Sequence, residues 1–397
     1  MDAVQRVLRE GAAAASKARD DARKLLGQAH VVIAGAGGLG MRLLQGLRES
    51  GVEPIAFADN DSRRWNTSIE GVPVMSAADA AARHADEALF VVAVWNAGRR
   101  RNQTDVRDQL LRAGCRNVVS FVHVFRCFPD ALLPYFAVDE PERAVRSADA
   151  IAAAFELLDD EASRAIFLEQ LRWRLDAGFA QLSSPRAEPQ YFPPDLYDLR
   201  ADETFVDCGA FDGDTLREFA TLTNGVFTKY YALEPDPANF ASLEHNVKAL
   251  APSTAARVAC LPLAASDHRG TERFDSRGSA SSVFSDSGGT VIDCAPLDEL
   301  VDACTIIKLD VEGAEPKVLH GAARILRDSS PIAAISAYHV QSHLWELPLL
   351  IRQLQPRYTL TYRVHNEEGF DLVLYAISPE RYKPRFAILS RNAGLDA

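Results

Sequence analysis

The sequence predicts an α/β protein with two Rossmann-like domains that are joined by a helical connector. Two glycine-rich turns lead to this prediction, one at residues 35–40 and one at residues 209–213. Each turn follows a short apolar run and precedes a helical pattern, which is the strand, turn and helix order of a nucleotide-binding unit. In the C-terminal half, further apolar runs alternate with helical patterns, which predicts a doubly wound sheet.

The bulk composition narrows the class of protein. A chain of 397 residues suits two domains that each bury a core. Lys and Arg number 43 against 55 Asp and Glu, and the resulting net charge of -12 disfavours nucleic acid as a partner. Without an apolar run of roughly 20 residues or a signal-peptide core, we expect a soluble, cytoplasmic protein with no membrane span. The six cysteines form no CxxC pair, which indicates reduced thiols rather than a zinc site or disulfides.

The first unit begins after a stretch at residues 1–28 that predicts a surface helix, packed on this chain or across a partner. An apolar run at residues 30–34 leads directly into a G-x-G-x-x-G pattern. The next apolar run ends in Asp59, 19 residues beyond the last glycine. This spacing is typical of a dinucleotide-type fold, in which the acid binds ribose hydroxyls. The residues predicted to form this nucleotide site are Gly35, Gly37, Gly40 and Asp59.

Residues 35–95 also look like the nucleotide-sugar-binding N-terminal domain of bacterial sugar acetyltransferases, through FADND at 57–61 and EGVPV at 70–74. The resemblance implies that the glycine turn meets the diphosphate of a nucleotide or nucleotide sugar. The arginine triplet at 99–101 would add charge-assisted hydrogen bonds, unless it is simply a solvated helix start. A scaffold or dimerisation role for this domain stays open, as does a homo-oligomer.

A helical connector follows, and a proline-rich passage at residues 184–194 ends it because neither helices nor central strands tolerate that density of proline. Residues 191–193 are candidates to fold over a ligand. The predicted division is a nucleotide-binding domain at 1–138, the connector at 139–200 and a second Rossmann-like domain at 201–397.

The second unit starts with an apolar run that ends in Asp207. Two glycines four residues apart then allow a sharp turn that lies against a ligand. A second apolar run ends in Glu234, 21 residues past Gly213, where a carboxylate accepts hydrogen bonds from both ribose hydroxyls. The turn residues expected to contact the ligand are Gly209, Ala210, Asp212 and Gly213.

Four motifs in order, FVDCGAFDGDT (205–215), LEP (233–235), IKLDVEGAE (307–315) and AYH (337–339), resemble the FkbM family of S-adenosylmethionine-dependent methyltransferases. The resemblance covers roughly residues 190–378. It implies that Asp207 holds the methionine ammonium group of S-adenosylmethionine, that Glu234 holds its ribose and that Asp267 meets the adenine amino group. A turn-capping role for Asp267 is an equal alternative.

The C-terminal half contains seven predicted strands, and the resemblance implies an antiparallel last strand. Between the third and the fourth, the glycine- and serine-rich stretch at 278–289 predicts a loop or hairpin near the substrate. The predicted strands are 204–206, 230–233, 258–263, 305–309, 332–337, 359–363 and 372–377.

Methyl transfer to a hydroxyl requires removal of a proton, and Asp310, Glu312 and His339 are the candidates because they follow neighbouring strands. The i, i+2 spacing of the two acids sends both side chains to one side if the strand continues. A divalent ion held by the three is an alternative. Another is that Glu312 forms ion pairs with Lys308 or Arg363 while His339 caps a helix. His343 receives no role.

We therefore expect an O-methyltransferase that uses S-adenosylmethionine and acts on a hydroxyl, with a sugar or glycan acceptor implied by the resemblance. A nucleotide-sugar oxidoreductase with NAD at residues 35–40 is the first alternative, although no nearby group suits hydride transfer. A non-catalytic binding or scaffold protein is the second.

Overall fold

The computed structural model describes residues 2–95, 102–179, 182, 189–275, 283–284, 290–366 and 368–383. These residues form a six-stranded sheet, a seven-stranded sheet and a smaller four-stranded sheet, with helices between the strands. The predicted α/β fold class is thus confirmed. The arginine triplet at 99–101, residues 183–188 of the proline-rich passage and most of the stretch at 278–289 lie outside the described residues.

The six-stranded sheet is formed by the N-terminal part of the chain. Its strand order is β3-β4-β2-β1-β5-β6, and only the β3–β4 pair is antiparallel. A 3-10 helix at Ser62–Arg64 follows β2. The elements of this part are α1 (Asp2–Leu26), β1 (His30–Ala34), α2 (Gly38–Glu49), β2 (Ala56–Asp59), β3 (Ser68–Ile69), β4 (Val72–Ser76), α3 (Ala77–His84), β5 (Ala88–Val92), α4 (Gln103–Arg112), β6 (Asn117–Ser120), α5 (Phe121–Phe125) and α6 (Pro129–Leu132).

The central strand β1 brings the first glycine turn to the carboxyl edge of this sheet. A Cβ atom at position 40 would lie 2.0 Å from the Gly35 carbonyl oxygen, so only glycine lets α2 pack this closely on the turn. Gly35 itself has a φ of +121°, a conformation that favours glycine. The predicted turn is therefore supported at both of these positions.

Three helices connect the two large sheets: α7 (Pro141–Arg146), α8 (Ala148–Glu156) and α9 (Glu161–Leu175). Helix α1 packs on all three through a buried face that includes Val4, Val7 and Leu8. These side chains belong to the core beneath the seven-stranded sheet, whereas Trp173 of α9 belongs to the core of the six-stranded sheet. The predicted N-terminal helix is therefore packed within its own chain.

The seven-stranded sheet has the order β16-β17-β15-β14-β7-β8-β9, and β17 is antiparallel to both neighbours. All seven predicted strands are present, and the predicted antiparallel strand is confirmed. The elements are β7 (Thr204–Cys208), α10 (Asp214–Leu222), β8 (Lys229–Leu233), α11 (Pro237–Lys248), α12 (Pro252–Ala255), β9 (Val258–Leu261), β10 (Ala264–Ala265), β11 (Gly270–Asp275), β12 (Val283–Phe284), β13 (Thr290–Ala295), α13 (Leu297–Leu300), β14 (Ile306–Leu309), α14 (Glu315–Gly321), α15 (Ala323–Asp328), β15 (Ile332–Ser336), α16 (His343–Leu354), β16 (Thr359–Val364) and β17 (Leu372–Ile377).

The small sheet lies between β9 and β14 in the chain, with the order β10-β13-β11-β12. Its strands β11 and β13 run antiparallel over residues 270–274 and 290–294, in agreement with the hairpin predicted for this region. Among the described residues, no helix combines the length and the apolar character that crossing a bilayer would require.

Candidate active site

The second glycine turn lies against the end of strand β14. Gly209 has a φ of +81°, and a Cβ atom there would lie 2.0 Å from the carbonyl oxygen of Asp310. Gly213 has a φ of +84° and caps α10 without a side-chain hydrogen bond. Both predicted glycines thus meet a backbone requirement that other residues fulfil only with strain. The turn and the end of β14 consequently share one edge of the sheet.

Glu234 directly follows β8 and contacts this turn. Its carboxylate accepts hydrogen bonds from the backbone N–H of Phe211 at 2.8 Å and of Asp236 at 2.9 Å. Burial raises the pKa of Glu234 to about 7, and the two backbone hydrogen bonds oppose that rise. Glu234, the residue predicted to bind the ribose, therefore lies beside the predicted glycine turn.

The six-stranded sheet repeats this arrangement with different residues. Asp59 ends β2, and its carboxylate accepts hydrogen bonds from the backbone N–H groups of Ala36 and Asp61, each at 2.7 Å. Both sheets thus hold an acid from the neighbouring strand against a glycine turn. The first turn opens on a cavity of about 620 Å³, a size typical of small-molecule sites. Its lining includes Gly37, Arg64 and Asp59.

Asp207, the residue predicted to hold the ammonium group, forms bonds within the protein at the end of β7. Its side chain is fully buried, and its two oxygens accept hydrogen bonds from Lys308 Nζ at 2.8 Å and from the Tyr230 hydroxyl at 2.6 Å. Lys308 also donates to the Gly209 carbonyl oxygen at 2.8 Å. The side chain of Asp207 exposes no surface, so neither oxygen faces the solvent side of the turn. The observed arrangement instead fixes the glycine turn through Lys308.

The three residues predicted to carry the chemistry converge. His339 Nε2 lies 3.4 Å from Asp310 Oδ1 and 3.7 Å from Glu312 Oε2. His339 is buried, whereas the side chains of Asp310 and Glu312 are 25% and 18% exposed, so the cluster is open on the carboxylate side. Both His339 Nε2 and Glu312 Oε2 are buried and have no hydrogen-bond partner among the residues that the structure describes. Such atoms favour a ligand that would satisfy them.

A second acid, which the sequence analysis did not assign, orients His339. The fully buried Glu315 accepts a 2.7 Å hydrogen bond from His339 Nδ1, and its other oxygen lies 3.3 Å from His343 Nδ1. Glu315 also accepts from the backbone N–H of Val311 at 3.1 Å. Its position in the IKLDVEGAE motif was the available signal, but a carboxylate within a helix start is usually solvated. The partner 24 residues away could not be inferred.

The charges around His339 shift the pKa values of the whole group. Burial alone would lower the pKa of His339, but Glu315 and Glu312 outweigh it and raise the pKa to about 10. Burial is the main cause that raises the pKa of Glu312 to about 8. Burial would raise the pKa of Asp310 as well, yet the charges of Lys308 and His339 lower it. These shifts favour a positively charged His339 beside the carboxylates of Asp310 and Glu315.

Two tyrosines complete the surroundings of Asp310. Tyr191 donates to Oδ2 at 3.0 Å and Tyr338 donates to Oδ1 at 3.1 Å. Residues 191–193 were predicted to fold over a ligand, and Tyr191 does reach the candidate site, whereas Phe192 packs into the core under β7. Tyr338 precedes His339 in the AYH motif and was not assigned a role.

The alternative ion pairs considered from the sequence are not formed. Lys308 pairs with Asp207 rather than with Glu312, and Arg363 pairs with Asp160 and Asp195, each at 2.9 Å. His339 bonds Glu315 and caps no helix. For Lys308 the reason is geometric, because Lys308 and Asp207 are register partners on the parallel strands β14 and β7.

The other residues predicted to bind the cofactor, Ala210, Asp212 and Asp267, lie in different surroundings. Ala210 is buried, with its N–H bonded to the Leu233 carbonyl at 2.9 Å. Asp212 pairs with Arg217 at 2.9 Å. Asp267 is 45% exposed and lies 2.8 Å from His268 Nδ1, which lowers its pKa. These contacts leave the ligand roles of the three residues as predictions.

Backbone strain concentrates around this region. Ten described residues other than glycine have a positive φ, and six of them lie at the second glycine turn, around the His339 cluster or in the loop between β16 and β17. Strained backbone persists where packing enforces it and is common at functional sites. The six are Phe136, Tyr191, Phe211, Glu312, Glu368 and Asp371.

One group of described side chains has the mutual spacing of a metal site, and it is not the predicted cluster. His268, Glu272 and Cys294 place potential ligand atoms within 4.8 Å of one another. Glu272 already pairs with Lys317 at 3.3 Å, which neutralises its charge. We therefore assign no metal to this group.

Residues 207–371 match the family model of the methyltransferase FkbM domain. This chain is a methyltransferase. The match includes Asp207, Glu234, Asp310, Glu312 and His339, the five residues around which the candidate site was described. The roles of these individual side chains in the methyltransferase remain predictions.

Solved structures support the fold over the whole chain. The FkbM methyltransferase from Methylobacillus flagellatus KT is 24% identical, with a TM-score of 0.75 over 94% of this chain and 100% of that one. At this identity the likeness supports the fold alone. The precorrin-6y C5,15-methyltransferase from Geobacter metallireducens GS-15 is 15% identical over 46% of this chain and 83% of that one, and its TM-score of 0.30 is too low to support an argument.

A search of curated proteins found no match. The predicted resemblance of the N-terminal part to sugar acetyltransferases is not confirmed by these comparisons and stays a prediction.

Proposed function

We propose that the methyltransferase uses S-adenosylmethionine and methylates a hydroxyl group of a sugar or glycan. One observation carries this proposal: the glycine turn at 209–213 lies directly against the end of β14, from which Asp310 and Glu312 extend. A ligand on the turn would therefore face the His339 cluster, which is the arrangement that in-line transfer between a donor and an acceptor needs.

The residues at this edge fit S-adenosylmethionine. Glu234 would bind the ribose, Gly209 would allow the backbone to approach, and the unpartnered oxygen of Glu312 would face the positive charge. S-adenosylmethionine supplies a methyl group on a sulfonium sulfur, which becomes a neutral thioether when the methyl group moves to oxygen. We reassign Asp207 from binding the ammonium group to fixing the turn through Lys308, because its side chain is fully buried and bonds Lys308 and Tyr230.

We propose His339 as the residue that accepts the hydroxyl proton. Glu315 holds Nδ1, so that Nε2 is directed toward the space beside Asp310 and Glu312. With a pKa of about 10, His339 carries a proton at neutral pH. A second positive charge bound nearby would favour loss of that proton and leave Nε2 as the base.

A polar acceptor suits the surroundings of Asp310. Its carboxylate accepts hydrogen bonds from two tyrosines, and Asp371 lies close enough to influence the same charges. Convergent hydroxyl and carboxylate groups bind the hydroxyls of a sugar better than they bind an apolar ligand. We further propose that residues 1–138 hold a nucleotide or nucleotide sugar and that residues 201–397 carry out methyl transfer. Residues 139–200 then form the connector between these two domains.

The proposal is tested by calorimetric titration of the full chain with S-adenosylhomocysteine and, separately, with NAD. We expect S-adenosylhomocysteine to bind and His339→Asn to retain that binding. Turnover of S-adenosylmethionine with sugar acceptors should fall by about 10²–10⁴-fold in His339→Asn, the usual range for loss of a general base. His245→Asn, on helix α11, is the matched control and should keep full turnover. Binding of NAD without S-adenosylhomocysteine would favour the oxidoreductase alternative instead.

A further inference from the structure

The two glycine turns are connected by a continuous cluster of aromatic rings. Trp95 follows β5 and lines the cavity of the first turn, and its ring centre lies 5.8 Å from that of Phe136. The Phe136 ring centre is in turn 6.4 Å from that of His339. Phe370 lies 4.5 Å from Trp95 and 6.0 Å from Tyr338. Two ring contacts therefore separate the first cavity from the proposed base.

This cluster is not an ordinary closed core. Tyr135, Phe136, Tyr338 and Phe370 are each only partly buried, so the cluster keeps some accessible surface. Phe136 also has a φ of 48°, which is unfavourable for a bulky side chain and places strain at the centre of the cluster. We refer to these four residues as the aromatic platform.

The loop between β16 and β17 fixes the platform to the N-terminal part. Trp95 Nε1 donates to the Glu368 carbonyl at 2.8 Å, and the Gln103 N–H donates to the Glu368 carboxylate at 2.7 Å. Phe370 and Asp371 follow in the same loop. The distance between the first cavity and the second site is therefore set by direct contacts rather than by a free linker.

The far end of the first cavity suits an anion. Helix α2 begins there with Gly37 as its N-cap, and among the described residues no side-chain cap bond is formed at this N-cap. Arg64 lines the same cavity, where its guanidinium donates to the Ala36 carbonyl oxygen and lies 3.9 Å from the Asp61 carboxylate. Free N–H groups at the start of a helix together with an arginine are typical of phosphate recognition.

The geometry points to a single acceptor that occupies both places: a sugar carried on a nucleoside diphosphate. This inference rests on the proposed function and narrows its acceptor. The diphosphate lies at the start of α2 beside Arg64, the sugar ring lies on the aromatic platform, and one sugar hydroxyl reaches His339. The first cavity thereby selects the acceptor, while the second site transfers the methyl group.

The chemistry of the platform favours a sugar over a second nucleobase or a peptide. The C–H face of a sugar ring packs on aromatic rings, while its hydroxyls reach polar groups at the rim. The platform provides both, because Tyr338 contributes a ring to it and a hydroxyl group that already bonds Asp310. A free monosaccharide lacks the diphosphate and should bind far more weakly.

The test uses a variant that fills the first cavity without disturbing the fold. A Cβ atom at Gly37 meets nothing within 4 Å, and the φ of -89° suits any residue, so Gly37→Val projects a side chain into the cavity. Gly27→Val is the matched control, because its Cβ also makes only ordinary contacts and lies outside the cavity lining. Phe136→Gly removes a platform ring and relieves its strained φ.

The full chain and these variants are titrated with UDP-glucose, GDP-mannose, dTDP-glucose, the matching free nucleoside diphosphates, glucose and S-adenosylhomocysteine. We expect at least one nucleotide sugar to bind, at least tenfold weaker binding in Gly37→Val, and unchanged binding in Gly27→Val. Phe136→Gly should remove the advantage of the nucleotide sugar over its free nucleotide. S-adenosylhomocysteine should bind all variants equally.

Two outcomes would overturn the inference: no nucleotide sugar binds, or binding survives Gly37→Val undiminished. If S-adenosylhomocysteine still binds in either case, the proposed methyl transfer stands and only the two-part acceptor is lost. Absence of S-adenosylhomocysteine binding would count against the proposed function itself.

Discussion

Glu312 is a residue whose surroundings predict a measurable dependence on pH. Its backbone has a φ of 53°, one oxygen has no partner, and burial raises its pKa to about 8, so the group is mostly neutral at pH 7. A bound sulfonium favours the ionised carboxylate and would lower that pKa. Binding of a cation should therefore release a proton from the Glu312 and His339 cluster.

We expect the affinity for S-adenosylmethionine to increase as pH rises from 6.5 to 9. At the lower pH, Glu312 must lose a proton before it can pair with the sulfonium, whereas at the higher pH it is already ionised. Calorimetry in buffers with different ionisation enthalpies measures the protons released. Glu312→Gln should flatten the pH dependence and reduce proton release. Equal affinity at both ends of this range in the unaltered protein would contradict the prediction.

A second prediction at the scale of a residue concerns the effect of Glu315 on the pKa of His339. Glu315 contributes most among the charges that raise the pKa of His339, and it holds Nδ1. Glu315→Gln should therefore lower the pKa of His339 and shift the pH profile of turnover toward lower pH. A His339 pKa that NMR titration finds unchanged in Glu315→Gln would show that Glu315 is only structural. Glu346→Gln, on exposed surface near the start of α16, serves as control.

At the scale of elements, the strand, turn and helix of β7 and α10 depend on Gly209. A methyl group there would meet the Asp310 carbonyl at 2.0 Å, and the φ of +81° is strained for alanine. Gly209→Ala should lower the free energy of unfolding by about 2–4 kcal/mol and weaken cofactor binding as β14 moves away. Urea unfolding and titration with S-adenosylhomocysteine test both effects.

The comparison variant for Gly209→Ala is Gly27→Ala, whose Cβ makes only ordinary contacts at 3.6 Å or more. It should leave both measurements within error. If Gly209→Ala were equally harmless, the close approach of the turn to β14 would be refuted, and with it the observation on which the proposed function rests.

At the scale of the whole molecule, α1 links the two ends of the chain. Leu8 is 4% exposed and belongs to the core beneath the seven-stranded sheet, although it precedes the first strand of that sheet by nearly half the sequence. Leu8→Ala should lower the free energy of unfolding by about 2–5 kcal/mol through the cavity left behind. Leu111→Ala, at a position 48% exposed, should change it by less than about 0.5 kcal/mol.

Urea unfolding followed by circular dichroism gives both values. A loss of stability in Leu8→Ala no larger than in Leu111→Ala would show that α1 does not pack on this core in solution.

The local order of the elements was predictable because it depends on neighbours in the chain. Apolar runs at residues 30–34 and 372–377 are buried strands, and the glycines at 35, 209 and 213 occupy conformations with positive φ. Such patterns follow from side-chain periodicity and from the steric freedom of glycine, which operate over a few residues. The convergence of Asp310, Glu312 and His339 was predictable too, because β14 and β15 are adjacent and parallel.

The sequence by itself thus determined the two α/β units, the positions of both turns and the acids that close them. Only the tertiary structure decided which partner each charged group takes. Lys308 bonds Asp207 across 101 residues, and Trp95 bonds Glu368 across 273. An acid or a cation has many equivalent partners in a sequence, and long-range packing selects one of them through distance and burial. The aromatic platform between the two turns exists for the same reason.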